Sequence, residues 1–502
     1  MNPKGSQPKW FVRVGFAIVA VITLVFLVIA VEGYRARRAW EACKLRLEQK
    51  GETLEWVSLM AGPVPDEQNF LATPALAPCF GFGKGSEVRK PETSKTNLCQ
   101  QLIAQFEPIH MKFPGEGDWR RSGTLRPLAD WASELPKEDL EKLRSLFDQN
   151  RDFFAEVRTA ARRPFAQIKL NPELVLGPEG PLSEQLVVFR KFKNLAQMFS
   201  ISARLNLLGG DAESACSDIE SILALGDAAG SQPLLIGFLV KASLIELAAQ
   251  PLRSGLADRR WPEPQLARLE SRLSQINLVA DYRRCMRGER SLALAMLGAE
   301  ANTGVFATSS RTNAGSRARR QSPATVFRLW PRALIYRNQI NVAEGFHAFL
   351  EGRVDPAGPS VRISPAVEHD PALTAFNKSS PYNFLFPRLF HAMGKTIYKA
   401  AAGQTTVTLA RVACALERHR LAKGRYPETL AELAPNFISR LPVDPVNGGP
   451  LKYRLIDQNH YVLYSVGEDG VDDGGKPISK VKAREDVSAG DWVWQSPEPK
   501  GR

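Results

Sequence analysis

From Val14 to Val31 the chain is apolar throughout except at Thr23, and Phe11 and Val12 extend the run. About 20 such residues carry an α-helix across the hydrocarbon core of a bilayer. A helix buried in a soluble domain rarely runs that far without a polar face, and this one has none. Residues 11–31 are therefore expected to form a membrane helix, with the lipid bilayer as the chain's first partner. A cleaved signal peptide is the competing reading, since Val28-Ile-Ala30 fits a small-residue cleavage site. The long apolar core and the following Arg35, Arg37 and Arg38 favour an uncleaved anchor. Basic residues flank both ends, with Lys4, Lys9 and Arg13 on the N-terminal side. The positive-inside bias alone leaves the large domain cytoplasmic, but large domains also translocate against such a bias.

The remainder is long enough for two or three domains. Lys and Arg exceed Asp and Glu by 66 to 53. No basic cluster is interleaved with aromatics, so dispersed surface charge is expected rather than a nucleic-acid partner. The six cysteines show no C-x-x-C spacing, which argues against a zinc or redox motif. Cys79 and Cys99 bracket a Gly- and Lys-rich loop; they fit either a disulfide or two buried thiols.

The fold expected is mainly α: a transmembrane helix, an irregular helical domain and a small C-terminal α+β module with an antiparallel sheet. The boundaries are 1–33, 34–128, 129–382 and 383–502. Ala39, Trp40, Cys43, Leu47 and Leu54 form an interrupted apolar stripe leaving the membrane. Prolines at 63, 65, 74 and 78 then favour extended structure. Residues 130–350 carry helical periodicity. Leu205-Asn-Leu-Leu-Gly-Gly-Asp211 reads as a tight turn between antiparallel helices, with a glycine ending one and Asp211 capping the next. Pro233 to Leu252 is nearly all apolar, but Lys241 and Glu246 interrupt it, so a buried bundle helix is expected. Residues 301–322, with Arg317, Arg319 and Arg320, read as a polar loop. Residues 353–382 read as an irregular connection, followed by a helix from about Phe384 to Lys423.

Two stretches of this region resemble known families. Trp40, Leu47-Glu48, Gly51-Glu52 and Trp56, followed by Pro63-Val-Pro65, Asn69-Phe70 and Thr73-Pro74, resemble the start of a group of single-anchor bacterial proteins best known from planctomycetes and verrucomicrobia. That group brings no activity with it. The turn at Leu205 to Asp211 looks like one tetratricopeptide-type hairpin, without the fixed period of a solenoid.

The C-terminal module holds the densest set of hard oxygen ligands. Tyr464 to Gly475 contains Glu468, Asp469, Asp472 and Asp473 among four glycines. Clustered carboxylates in a Gly-rich turn suit calcium, which takes six to eight oxygens in flexible geometry. A solvated acidic turn is the plainer alternative. Two strands, at residues 448–455 and 461–466, are expected before the loop.

The order Gly424-Arg-Tyr-Pro427, Leu441-Pro-Val-Asp-Pro445, Gly449-Pro-Leu-Lys-Tyr453, Tyr464-Ser-Val-Gly467-Glu-Asp-Gly470 and Asp491-Trp-Val-Trp494 is similar to the globular domain of the major pseudopilins of type II secretion. The resemblance implies calcium binding, with Asp469 and Asp491 at the carboxylate-ligand positions and backbone carbonyls near Ser465 to Gly470. With the acids of the loop, the candidate metal residues are Asp469, Asp472, Asp473 and Asp491. The chain departs from that family in three ways. It has no acidic residue within the apolar run before Glu32, it carries a helical domain between anchor and sheet, and it inserts Lys476, Lys480, Lys482 and Arg484 beside the loop. Filament assembly is therefore not implied.

No Gly-x-Ser-x-Gly, P-loop or His-Glu-x-x-His motif occurs. The six histidines lack metal-ligand spacing, and His369-Asp370 has no partner nucleophile. The expectation is a single-pass protein of the cytoplasmic membrane, its large domain outside the cytoplasm, acting on an envelope protein partner through interaction. The alternative is an anchored hydrolase with a substrate cleft in the helical domain.

Overall fold

A computed structural model describes residues 9–80, 98–110, 126–169, 182–303, 332–351, 353–355, 357–361, 373, 376, 378–393, 396–477 and 490–495. The basic loop expected at residues 301–322 lies outside the described residues except at 301–303, as do His369-Asp370, Lys480, Lys482 and Arg484.

The first helix, α1 (Lys9–Gln49), is long and apolar enough at its N-terminal end to cross a membrane, and its apolar window is wholly exposed. It does not stop at the end of the apolar run. Its 41 residues span about 60 Å at ~1.5 Å per residue, twice the hydrocarbon thickness. In the second half Ala36, Trp40, Cys43 and Leu47 are buried at alternating spacings of four and three. Ala39, expected in this stripe, is exposed; Ala36 takes its place because it lies one turn before Trp40. The stripe packs on α12 (Arg332–Leu350), which in turn packs on α11 (Leu278–Thr303). Between Gln49 and Phe80 lie short 3-10 turns and the four-residue helix α2 (Ala77–Phe80), as the prolines require. Helix α3 (Leu98–His110) follows.

The described helical region continues with α4 (Leu128–Ser133), α5 (Lys137–Gln149), α6 (Arg151–Ala160), α7 (Leu182–Leu208), α8 (Ala212–Ala229), α9 (Leu235–Ala257) and α10 (Glu263–Ser274). α7 and α8 form the expected hairpin. Gly210 takes the left-handed conformation at φ 83°, and the Asp211 side chain accepts the Ser214 N–H at 2.9 Å. α9 is also long and apolar enough to cross a membrane, but about half of its apolar stretch is buried between α7, α8 and α14 (Thr396–Lys423). Lys241, the residue that breaks its apolar run, is buried and paired to Asp227 at 2.9 Å and Asp281 at 2.7 Å. Paired this way, the charge is tolerated inside a bundle.

A short ladder, β1 (Val354–Asp355) with β2 (Ser360–Val361), interrupts the connection before α13 (Leu385–Met393). The helix expected from Phe384 to Lys423 is described over Leu385–Met393 and Thr396–Lys423 as α13 and α14, and residues 394 and 395 lie outside the described residues. α14 is buried almost all round, from Ile397 to His419, against α9, α10 and α11. Small residues permit this: a Cβ on Gly403 would lie 2.7 Å from Leu278 Cδ1. Gly424, at φ 77°, ends the helix. One apolar core runs from Trp40 to Trp494, so α14 belongs equally to the helical domain and to the sheet.

That sheet is antiparallel in the order β3 (Lys452–Asp457), β4 (His460–Ser465), β5 (Trp492–Gln495). The third strand was not among the expected elements, although its motif was. Trp492 and Trp494 join the main core, whereas Val493 meets Val462 and Tyr464 on the opposite face.

Candidate functional site

The acidic loop leaves β4 and returns at β5. Its neck is held by a residue whose role the sequence did not disclose. Asp444 is fully buried; its Oδ1 accepts from Val446 N at 2.9 Å and Ser465 Oγ at 2.8 Å, and its Oδ2 accepts from Val466 N at 3.1 Å. Burial pushes its pKa up, against those donors. The available signal was the Pro442-Val-Asp-Pro445 turn ahead of the Tyr464-Ser-Val-Gly467 strand end. Gly467 is required beside it: at φ 71°, a Cβ would collide with the Gly490 carbonyl.

The four candidate metal residues occupy different environments. Asp469 is half-buried, and its Oδ1 accepts from Val471 N at 3.0 Å. Asp472 is exposed and engaged: it accepts from Tyr464 Oη at 3.0 Å and Gly474 N at 3.1 Å, with Lys452 Nζ at 3.1 Å. The Gly474 N–H and Lys452 hold its pKa down. Asp473 is half-buried. Asp491 is fully buried; its Oδ2 accepts from Gly475 N at 2.7 Å, while its Oδ1 is buried without a hydrogen-bond partner among the described residues. Burial raises the Asp491 pKa, and the charges of Asp472 and Asp473 add to the rise. The fold therefore brings Asp472, Asp473 and Asp491 into one electrostatic neighbourhood. Among the described residues, however, no three His, Cys, Asp or Glu side chains are disposed to hold a metal ion. What fits calcium is the orphaned Asp491 Oδ1 beside a glycine-rich backbone. A four-carboxylate cage does not fit, because Asp472 is bound to Tyr464 and Lys452.

A second polar centre lies in the helical region, and sequence reasoning missed it. α5 and α6 face the end of α7 and the start of α8 across a cavity of about 440 Å³. At its floor Arg158 grips Asp218 in two parallel bonds, Nε to Oδ1 at 2.6 Å and Nη2 to Oδ2 at 3.0 Å. Ser202 Oγ and Asn206 Nδ2 each reach Asp218 Oδ2 at 2.8 Å. Asp218 has no exposed surface; burial pushes its pKa up to about 6, against the pull of Arg158, Ser202 and Asn206. Sixty positions separate the two partners, so no local pattern signalled the pair.

A third charged cluster joins the anchor helix to the domain. Glu52, just past α1, is buried between Arg287 at 2.6 Å and Arg290 at 2.8 Å, with Arg283 and His347 nearby. Burial opposes its ionisation, but these arginines prevail and hold its pKa below the ordinary value. All six cysteines are free and buried; the Cys79 and Cys99 thiols hydrogen-bond each other.

No protein-family model matches the chain, and no curated protein or solved structure matches it at a significant level.

Proposed function

We propose that this chain is a single-pass protein of the cytoplasmic membrane that acts by binding an envelope protein partner. Its large domain lies outside the cytoplasm and is completed by a pseudopilin-like, calcium-stabilised C-terminal module. The observation that carries the reading is the continuity of α1: one helix passes from the exposed apolar run into the core at Trp40, Cys43 and Leu47. A domain gripped in this way holds a fixed attitude to the bilayer, as a docking platform requires.

For calcium, the support is the buried Asp491 Oδ1, unpartnered among the described residues, in the field of Asp472 and Asp473. A divalent ion would relieve that repulsion. Weak sites of this kind suit extracytoplasmic calcium concentrations. Binding rather than hydrolysis is supported by the cleft: the Ser202 hydroxyl on its floor is already tied to Asp218 and Arg158.

Two measurements test the proposal. A C-terminal alkaline phosphatase fusion is expected to be active; an inactive fusion, with a cytoplasmic reporter active in its place, overturns the orientation. Melting of the full chain in detergent is expected to shift upward with calcium by an amount equivalent to about 2.7 kcal/mol at a hundredfold excess over Kd. Asp491→Asn should abolish the shift while keeping a side chain for Gly475 N. Identical melting in calcium and in chelator ends the ion-site reading.

A further inference from the structure

We infer that the cleft between α5–α6 and α7–α8 is a binding site for a small organic anion, a carboxylate or phosphate group carried on a ring or short apolar body. The inference depends neither on calcium nor on membrane orientation. The cavity of about 440 Å³ falls in the size range of small-molecule sites. Arg144 on α5 and Arg151 and Arg158 on α6 line it; the last two stand seven residues, about two helical turns, apart. Phe147 and Phe154, edge to face at 5.1 Å, supply an aromatic wall.

Charge counting alone does not decide the ligand, because Asp148, Asp211 and Asp218 also belong to this region. Their commitments do decide it. Asp218 is wholly engaged by Arg158, Ser202 and Asn206. Asp211 caps α8 through Ser214 N, and Asp148 stands 3.5 Å from Arg151. The groups left over are donors. Arg158 spends Nε and Nη2 on the floor, and its Nη1 makes no hydrogen bond among the described residues. Arg144 is exposed and makes no ion pair among the described residues. A guanidinium pre-oriented by a buried carboxylate, with a second guanidinium free at the rim, matches the planar oxygens of a carboxylate or the fork of a phosphate. The rigid floor lowers the ordering cost of binding.

The test is isothermal titration of the full chain in nanodiscs with benzoate, phenyl phosphate and neutral benzyl alcohol, beside acetate and inorganic phosphate. At least one aryl anion should bind saturably, about tenfold or more tighter than benzyl alcohol, the scale of one charge-assisted hydrogen bond. Whether benzoate or phenyl phosphate binds tighter assigns the head group. Weaker binding of acetate and inorganic phosphate would support the apolar wall. Arg144→Gln should weaken the better probe about tenfold without changing the melting curve, since this residue is exposed and unpaired. The inference is overturned if no anionic probe saturates, if benzyl alcohol binds equally well, or if Arg144→Gln binds as the wild type does.

Discussion

Arg158→Met probes the floor of the cleft most directly. It leaves Asp218, which has no exposed surface, without its one cationic partner among the described residues. Removing one member of a buried pair costs about 3–5 kcal/mol. Here the cost must also depend on pH. In the wild type, burial already pushes the Asp218 pKa from an ordinary 3.8 to about 6, and Arg158 is the first of the groups, with Ser202 and Asn206, that restrain it. Without Arg158 the folded-state value rises further. An acid whose pKa is higher in the folded state binds more protons there than in the unfolded chain, so stability rises as pH falls. Between the raised value of the variant and about 6, only the variant gains, at about 1.4 kcal/mol per pH unit. Below about 6 the wild type gains as well and the two curves run parallel. Urea unfolding of the full chain in detergent, followed by tryptophan fluorescence from pH 8 to pH 5, reads this out. The deficit should be largest at pH 8 and shrink toward pH 6. The double variant Arg158→Met/Asp218→Leu should be less destabilised than Arg158→Met at pH 8, because no charge is left buried. A deficit constant across the range, or a double variant worse than the single one, refutes the reasoning.

Four further outcomes follow from named contacts. Glu52→Gln should remove several kcal/mol near neutral pH, because Arg290 is fully buried beside it. The stabilisation by Glu52 is present above its unfolded pKa near 4.5 and disappears as pH falls through the lower folded value, so the acid limb of stability against pH should flatten in the variant. In α11, Gly288→Ala would drive a methyl into the Pro233 carbonyl and should cost about 1–3 kcal/mol or more by urea midpoint. Gly298→Ala, whose nearest neighbour is Gln339 Nε2 at 3.7 Å, should instead gain up to about 1 kcal/mol. Mild oxidation should join Cys79 to Cys99, so that a thiol titration under denaturing conditions finds two fewer than the six cysteines of the chain. A count still at six, or the same loss in Cys79→Ser, would show that these thiols are not the ones that pair.

Local signals carried much of the fold. The apolar run that opens α1, the Gly210–Asp211 turn with its cap, the proline-rich stretch without long helices and the β3–β4 hairpin each follow from dihedral preference or periodicity within a few residues. Burial of α9 was legible too, because Lys241 marks a helix that needs protein partners, not lipid. Where the chain joins itself over distance, the sequence was silent. From Ala400 to Leu416 α14 is apolar or small except at Gln404 and Arg411, so periodicity singles out no one face, and only packing shows that it serves both the helical region and the sheet. β5 pairs with β4 across an intervening loop, and four residues are too few to announce a strand.

The candidate sites divide in the same way. The acidic loop was visible because its carboxylates are neighbours in sequence, yet nearness along the chain did not make them converge: Asp472 turned to Tyr464 and Lys452, and of the four candidates Asp491 keeps a buried oxygen unpartnered among the described residues. The Arg158–Asp218 centre was invisible because its members come from separate helices. Sequence by itself determined which segments are apolar enough to leave water and which must turn, since those preferences are local. Tertiary structure alone decided which charges are buried together, since a buried charge persists only where folding brings it a partner.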